Sequence, residues 1–143
     1  MNVRLLLVDE RPLMRRRLRH LLEDHGGCEV VAEATSGAEG VRLAQVHRPA
    51  VAVVDLMTPV LSNVETTWRI LAQSPSTRVI VLSVHSDEAY IAHARNAGAA
   101  GFVLTDSADV DLPTAVREVS EGRPFLSPAL RHPLEDDAEK PLR

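Results

Sequence analysis

Short aliphatic runs that stop abruptly at polar residues constrain the fold of this chain more than any other feature. Residues 51–54, Val-Ala-Val-Val, are followed directly by Asp55. A run of this length and composition, bounded by a turn signal, predicts a strand buried on both faces of a sheet. Three further runs have the same form: residues 5–8, which end in Asp9 and Glu10; residues 79–82, which end in Ser83; and residues 101–104, which end in Thr105 and Asp106.

Segments with helical periodicity separate these runs. Pro12 suits the first turn of a helix, and Leu18 and Leu22 recur behind it at helical spacing. Ser36 and Glu39 form a capping-box signature for a second helix that runs to about residue 47. The other predicted elements are a strand over residues 29–34, a loop over 58–63, a helix over 64–73, a helix that opens at 86–88 and ends at 96–98, a strand over 100–104, and a helix over 110–119.

This alternation predicts the fold class. Five strands that alternate with five helices indicate an α/β fold with a doubly wound parallel sheet, because parallel strands need crossover connections and helices supply them. From Ser127 the periodic pattern ends, and four acids follow between residues 135 and 139. We therefore expect one domain over residues 1–126 and a linker or disordered tail over residues 127–143 that leads to a domain beyond this chain.

Composition narrows the function classes. A net charge of −4 and a pI of about 5.8 argue against nucleic-acid binding by these residues alone, because neutralising phosphates requires a basic surface. The single cysteine, Cys28, excludes an internal disulfide and suits a reducing compartment. No apolar stretch approaches the roughly 20 residues of a membrane span. We expect a cytoplasmic protein without a membrane partner.

The carboxyl ends of the predicted strands are where an open α/β sheet binds ligands. Asp9, Glu10 and Asp55 would meet there, and clustered carboxylates favour a hard divalent ion such as Mg²⁺. Asp55 stands alone at its strand end and is the candidate nucleophile for an aspartyl phosphate, whereas Asp9 and Glu10 suit the metal. Ser83 could donate a hydrogen bond to a phosphoryl oxygen. The simpler alternative for Asp55 is a strand-end acid that caps a turn.

Several segments together resemble a bacterial response-regulator receiver domain, in particular that of the NarL/FixJ (LuxR-type) transcriptional regulators. The resemblance runs from about residue 3 to residue 128. It rests on Leu-Val-Asp-Glu-Arg-Pro-Leu at 7–13, Val-Asp-Leu at 54–56 with Pro59 four positions after Asp55, Ala-Gly-Ala-Ala-Gly-Phe-Val-Leu at 97–104, and the end of the domain from Glu121-Gly122 through Phe125-Leu126-Ser127-Pro128.

The resemblance implies a flavodoxin-like, five-stranded sheet of order 2-1-3-4-5. It makes Asp55 the phosphoacceptor, and it assigns the metal to Asp9, Glu10, Asp55 and the backbone carbonyl of Met57. Ser83 matches the family's switch hydroxyl and Phe102 its switch aromatic residue. The implied partners are a sensor histidine kinase, a second copy of the chain, and DNA through a C-terminal helix-turn-helix domain that this chain lacks.

The chain also departs from the family pattern. Thr105 stands where the family has a lysine, Glu10 where aspartate is commoner, and Asn63 where glycine is usual in a left-handed turn that asparagine tolerates. We therefore expect weakened or altered phosphorylation. Because Arg11 directly follows the acid pair, we hypothesise that it supplies the missing positive charge. For Thr105 itself, ordinary turn hydrogen bonding is an equal alternative.

Two other functions compete with a phosphoacceptor. One is a pseudo-receiver, a dimerisation or ligand-binding module that works without phosphorylation. The other is a small phosphatase of similar fold, which is disfavoured because the chain lacks a cap domain and the lysine that such chemistry uses. We expect a signalling domain rather than an enzyme, with at most self-phosphorylation and self-dephosphorylation.

Overall fold

A computed structural model describes residues 2–57, 60–84 and 86–130, apart from the side chains of residues 60–62. Helices and strands alternate as the sequence predicts. The strands are β1 (Val3–Asp9), β2 (Cys28–Ala34), β3 (Val51–Asp55), β4 (Arg78–Ser83), β5 (Gly101–Leu104) and β6 (Phe125–Leu126). The α-helices are α1 (Pro12–Asp24), α2 (Gly37–His47), α3 (Val60–Gln73), α4 (Glu88–Asn96) and α5 (Ala108–Ser120), and two 3₁₀ helices span Thr105–Ser107 and Pro128–Leu130.

All strand pairs in the sheet are parallel, and the strand order is β2-β1-β3-β4-β5-β6. The predicted order 2-1-3-4-5 is confirmed. The predicted number of five strands is one too few, because β6 pairs with β5 through Gly101–Phe125 and Phe102–Leu126. Two residues are too short a run to carry a recognisable strand pattern, which is why the sequence did not predict β6.

The core has two layers because successive side chains of a strand point to opposite faces of the sheet. Leu5 and Leu7 of β1 pack with apolar residues of α1 and α5, whereas Leu6 and Val8 pack with residues of α2, α3 and α4. All four side chains are fully or almost fully buried. Both faces of the central strands are therefore covered, as their uninterrupted aliphatic runs predict.

The predicted start of α2 is confirmed with one difference. The Ser36 hydroxyl accepts a hydrogen bond from the Glu39 amide at 3.1 Å, as in a capping box. The Glu39 carboxylate, however, accepts from the Thr35 amide at 2.7 Å, one residue before the cap. Arg48 ends the helix in a left-handed conformation with a φ of 44°.

The predictions for the start of α3 are wrong where the structure describes it. The helix begins at Val60, inside the predicted loop over residues 58–63, and residues 58 and 59 lie outside the described chain. Asn63 is helical and buried rather than left-handed, and among the described non-glycine residues only Arg48 has a positive φ. The Asn63 side chain has a buried partner that fixes this conformation, since it accepts a hydrogen bond from the Leu56 amide at 2.9 Å.

Packed structure continues past residue 126, where the predicted domain ends. Ser127 is fully buried, and its amide donates to the Phe102 carbonyl at 3.0 Å. Its hydroxyl accepts from the Leu104 amide at 3.0 Å and donates to Asp111 at 2.8 Å. Leu130 is also buried. The remainder of the predicted tail, residues 131–143, lies outside the described residues.

The Ser127 hydroxyl makes a testable contribution to stability. Ser127→Ala is expected to lower the free energy of unfolding by about 1–3 kcal/mol, because it leaves the partly buried Leu104 amide without its acceptor. Urea denaturation measures this change. Ser120→Ala is the control, since the Ser120 hydroxyl bonds at the surface to the Arg117 carbonyl, and its effect should stay within about 0.5 kcal/mol. Equal effects of the two substitutions would show that the Ser127 contacts do not stabilise the fold.

No helix within residues 2–57, 60–84 and 86–130 combines the length and the apolar character needed to cross a bilayer.

Candidate functional site

Two buried acids meet at the carboxyl edge of the sheet. Asp9 is the last residue of β1 and Asp55 the last residue of β3, and they are register partners in adjacent parallel strands. Their relative exposures are only 1% and 2%. The charge of Asp9 disfavours the ionised form of Asp55, and both carboxylates are shielded from water, so the pair needs a positive partner. The sequence prediction that these two acids converge is confirmed.

Arg11 supplies positive charge to both acids. Its Nε lies 3.1 Å from Asp9 Oδ1, and its Nη2 lies 3.2 Å from Asp9 Oδ2 and 2.6 Å from Asp55 Oδ2. The Arg11 amide also donates to Asp9 Oδ1 at 2.8 Å, which fixes the start of the side chain beside the acid. The structure therefore places Arg11 at the acid pair, where an added positive charge was predicted, as a fork that bridges two strands.

Burial and charge act in opposite directions on this cluster. Burial raises the pKa of the Asp55 carboxyl to about 7, and the neighbouring Asp9 charge acts in the same direction, while Arg11 opposes both. Burial of Arg11 favours its neutral form, but its contacts with Asp9 and Asp55 outweigh this effect and raise its pKa above the usual value. Arg11 therefore stays charged, and its charge favours the ionised form of Asp55.

Glu10 points to a different partner. Its Oε1 accepts a hydrogen bond from the Met57 amide at 2.6 Å, so it ties the end of β1 to the loop after β3. Within the part of the chain that the structure describes, no group of three or more His, Cys, Asp or Glu side chains is arranged to hold a metal ion. Three converging carboxylates were expected. The structure instead joins the carboxylates of Asp9 and Asp55 through the Arg11 guanidinium, while the third acid, Glu10, accepts a hydrogen bond from the loop backbone.

The donor set still fits a hard divalent ion in chemical terms. Asp9 and Asp55 present carboxylate oxygens side by side in a buried position, and oxygen ligands of this kind suit Mg²⁺. Glu10 follows Asp9 in the chain and bonds the Met57 amide, and its charge contributes to the raised pKa of Asp55. Binding of a divalent ion is opposed by the Arg11 guanidinium, which already compensates the negative charge of both carboxylates.

The predicted hydroxyl residues lie at the carboxyl ends of the next two strands, Ser83 as the last residue of β4 and Thr105 directly after β5. Ser83 ends β4, is buried, and pairs in register with Leu104, the residue directly before Thr105. Thr105 opens a 3₁₀ helix, and its Oγ1 is buried without a hydrogen-bond partner among the described residues. The alternative that the Thr105 hydroxyl serves ordinary turn hydrogen bonding is therefore not supported.

Phe102 lies one layer below this edge. Its side chain is 4% exposed, and its ring meets the Tyr90 ring edge to face with centroids 5.5 Å apart. Register pairing places Phe102 between Val81 of β4 and Leu126 of β6. A change in the Phe102 ring position would therefore affect both Tyr90 of α4 and Leu126 of β6, near the end of the domain.

Sequence reasoning missed a buried link between the site loop and Phe102. Asn63 accepts a hydrogen bond from the amide of Leu56, the residue after Asp55, and its Nδ2 donates to the Tyr90 hydroxyl at 2.8 Å. The Tyr90 ring in turn packs on Phe102. The only sequence signal was a large polar residue at a position where the related family has glycine, and that signal does not identify a partner.

A double-mutant cycle tests the Asn63–Tyr90 hydrogen bond. Tyr90→Phe is expected to lower the free energy of unfolding by about 1–3 kcal/mol, because a buried amide group loses its acceptor. Combined with Asn63→Ala, the two losses should be non-additive by roughly 0.5–3 kcal/mol. The cycle cancels the other contacts of each residue, so additive losses in chemical denaturation would show that the hydrogen bond contributes nothing.

Comparison with protein families identifies the class of this protein. The family of response regulator receiver domains matches residues 5–117. The transcriptional regulatory protein DegU of Brevibacillus brevis is 30% identical over 133 residues, which cover 93% of this chain and 56% of DegU. The transcriptional regulatory protein NarL of Mycobacterium tuberculosis is 33% identical over 129 residues, which cover 90% of this chain and 60% of NarL. The chain belongs to the response regulator receiver family, and it spans less than two thirds of the length of these relatives.

Solved structures agree with this membership. A LuxR-family two-component response regulator from Aurantimonas sp. SI85-9A1 superposes with a TM-score of 0.89 at 30% identity, covering 98% of this chain and all of that one. The signal receiver domain of NarL from Mycobacterium tuberculosis superposes with a TM-score of 0.79 at 33% identity, covering 85% of this chain and 98% of that one. The resemblance to NarL-type receivers that the sequence motifs indicate is confirmed.

Proposed function

We propose that this chain receives the signal in a two-component system that controls transcription, and that Asp55 accepts a phosphoryl group from a sensor histidine kinase. The observation that carries this proposal is the buried, register-paired Asp9 and Asp55 at the carboxyl edge of the sheet, with a cation in contact with both. Membership of the receiver family supports the same role.

In the transfer step, one carboxylate oxygen of Asp55 attacks the phosphorus of the donor. A phosphorus–oxygen bond forms, the phosphorus–nitrogen bond to the kinase histidine breaks, and its electron pair returns to the imidazole. Asp9, Glu10, Asp55 and the Met57 carbonyl are the proposed ligands of Mg²⁺, which when bound screens the charge of the phosphoryl group. Arg11 is the candidate for the positive charge that a lysine at position 105 supplies in the family.

Ser83 and Phe102 would respond to the new phosphoryl group. We assign Ser83 as the hydroxyl that donates a hydrogen bond to a phosphoryl oxygen, and Phe102 as the aromatic residue whose position changes when Ser83 is engaged. Thr105 has a hydroxyl but no charge, so phosphorylation should be weaker than in receivers with a lysine there.

The output of the full-length regulator follows from the same assignment. We propose that phosphorylation changes homodimerisation and that DNA is bound by a helix-turn-helix domain joined through residues 131–143, since this chain has a net charge of −4 and neutralising DNA phosphates requires a basic surface. A histidine kinase as phosphoryl donor implies a cytoplasmic location. Within this pathway the chain acts as a phosphoacceptor rather than as an enzyme.

One observation favours a second function. The contact of Arg11 with both acids satisfies the site without any phosphoryl group or metal ion, which favours a pseudo-receiver that works as a dimerisation or ligand-binding module. The two functions differ in whether Asp55 reacts.

Labelling separates them. The chain is incubated with Mg²⁺ and acetyl phosphate, and intact-mass spectrometry measures the labelled fraction before and after hydroxylamine, which cleaves acyl phosphates. A hydroxylamine-sensitive mass increase supports the phosphoacceptor. The absence of label, together with the absence of any spectral change on adding beryllofluoride, supports the pseudo-receiver.

Restoring the usual lysine gives a further prediction. Thr105→Lys is expected to increase the labelled fraction or the lifetime of the label by about tenfold, because it adds a positive charge beside a doubly negative group. Ala89→Lys, which adds the same charge on the exposed face of α4, should leave labelling unchanged. If both variants behave like the parent chain, the charge deficit at position 105 does not limit phosphorylation.

A further inference from the structure

We propose that Arg11, tethered to the site by the chain itself, competes with the divalent cation. Its guanidinium contacts both Asp9 and Asp55, and a divalent ion binds only when these contacts break. This inference deepens the proposed function and rests on it for the identity of the ion. It concerns the metal-binding step, before any phosphoryl group arrives.

The competition follows from which atoms Arg11 uses. Its Nη2 lies within hydrogen-bond distance of Asp9 Oδ2 and Asp55 Oδ2 at once, and its Nε contacts the other oxygen of Asp9. An Mg²⁺ ion shared by the same two carboxylates needs their oxygens at about 2.0–2.1 Å. The guanidinium and the ion would then be in repulsive contact across the same oxygens, so the two states exclude each other.

The tether makes Arg11 an effective competitor. Arg11 is only two residues from Asp9, and its own amide is already bonded to Asp9 Oδ1 at 2.8 Å. Pro12, which opens α1, immediately follows it and limits the backbone. The guanidinium therefore returns to the acids from a short distance, at a high effective concentration and with little entropy to lose.

The release is also feasible. The Arg11 side chain is 33% exposed, in contrast to the buried carboxylates, so its charged end can move into solvent while the acids stay in place. Either the Arg11 guanidinium or the divalent ion then contacts both acids, so neither carboxylate is left as an unpaired buried charge. A chain with Arg11 should consequently need a higher divalent concentration to fill the site than the same chain without it.

Arg15, in the first turn of α1, provides a matched control for Arg11, which caps the start of that helix. It lies one turn further along α1, donates from Nη1 to the backbone carbonyl of Asp9 at 2.8 Å, and pairs with Glu33 at 2.9 Å. It is therefore a partly buried arginine close to Asp9 that bonds neither of the two carboxylates. Replacing it changes the net charge of the chain by the same amount as replacing Arg11.

The experiment is a calorimetric titration of the full chain with Mg²⁺, repeated with Mn²⁺ followed by electron paramagnetic resonance. Arg11→Gln is expected to bind either ion at least about tenfold more tightly than the parent chain, because a competing positive charge is gone. Arg15→Gln should stay within about twofold of the parent. Equal or weaker binding by Arg11→Gln, or no binding by either, would overturn the proposal.

A conservative variant covers the case in which Arg11→Gln does not fold, which circular dichroism in EDTA would reveal. Arg11→Lys keeps the charge but loses the fork that spans both acids, so its affinity should lie between those of the parent chain and the unhindered site, at least about threefold above the parent. Affinity at or below that of the parent chain would contradict the competition.

The readouts also separate this proposal from the proposed function. Tighter ion binding by Arg11→Gln with no label on Asp55 in any variant would leave the competition standing and remove the phosphoacceptor role. Labelling of Asp55 with unchanged ion affinity would do the reverse.

Discussion

Asp55→Asn is expected to abolish labelling by acetyl phosphate. The substitution preserves size and burial, but an amide lacks the nucleophilic carboxylate that attacks phosphorus. Since Asp55 ends β3 beside Asp9 and Arg11, no described carboxylate in the same position can replace it. Intact-mass spectrometry of the parent and variant, treated side by side, measures the difference.

Asp106→Asn is the matched control for this loss. Asp106 lies two residues after the end of β5, at the same edge of the sheet, but it is exposed. Its substitution makes the same chemical change without touching the buried acid pair, so labelling should continue. Loss of label in both variants would indicate a general effect of removing negative charge from the edge, and retention in both would place the reactive group elsewhere.

Leu7→Ala is expected to destabilise the fold by about 2–5 kcal/mol, the largest stability effect that we predict. Leu7 is fully buried on the face of β1 that packs against α1 and α5, and it lies two residues before Asp9. Removing its side chain loses the transfer free energy of the buried atoms and leaves a cavity in a close-packed layer. Urea or thermal denaturation followed by circular dichroism measures the loss.

Leu13→Ala makes the same chemical change on the surface. Leu13 lies on α1 with 76% of its side chain exposed, so its removal should change the free energy of unfolding by no more than about 0.5 kcal/mol. A comparable loss for both substitutions would mean that the α1 face of Leu13 is covered by something in solution, most simply a second copy of the chain. A small loss for Leu7→Ala would contradict the described core.

The convergence of Asp9 and Asp55 could be predicted because it follows from backbone rules. Each acid directly follows an aliphatic run, parallel strands present their carboxyl ends at one edge, and side chains alternate in a fixed way along each strand. The register pair formed by Asp9 and Asp55 is the outcome of those rules. The predicted start of α2 at Ser36 succeeded for a similar reason, since its capping pattern is local.

Side-chain choices across the chain could not be predicted in this way. The sequence placed Arg11 next to the acids, but whether its guanidinium folds back to Asp55, 44 residues away, depends on tertiary geometry. Glu10 equally could have joined Asp9, and it bonds the Met57 amide instead. Asn63 reversed the expected backbone conformation because its buried contacts with Leu56 and Tyr90 outweigh a local turn preference.

The position of Arg11 bears on the presence of threonine at position 105, where the family has a lysine. In this chain the positive charge at the edge of the sheet comes from the β1 side, through Arg11, and not from the residue after β5. Because Arg11 contacts both acids, the proposed competition with the divalent ion would couple the availability of Asp55 to the concentration of that ion.

The most direct test of the central claim is the location of the phosphoryl group along the chain. After incubation with Mg²⁺ and acetyl phosphate, borohydride reduces an aspartyl phosphate to homoserine, and peptide mass spectrometry identifies the converted residue. We predict homoserine at position 55, and none in a sample to which no phosphoryl donor was added. Conversion at Asp9 or at another acid, or no conversion while the protein remains folded, would contradict the assignment of Asp55 as the phosphoacceptor.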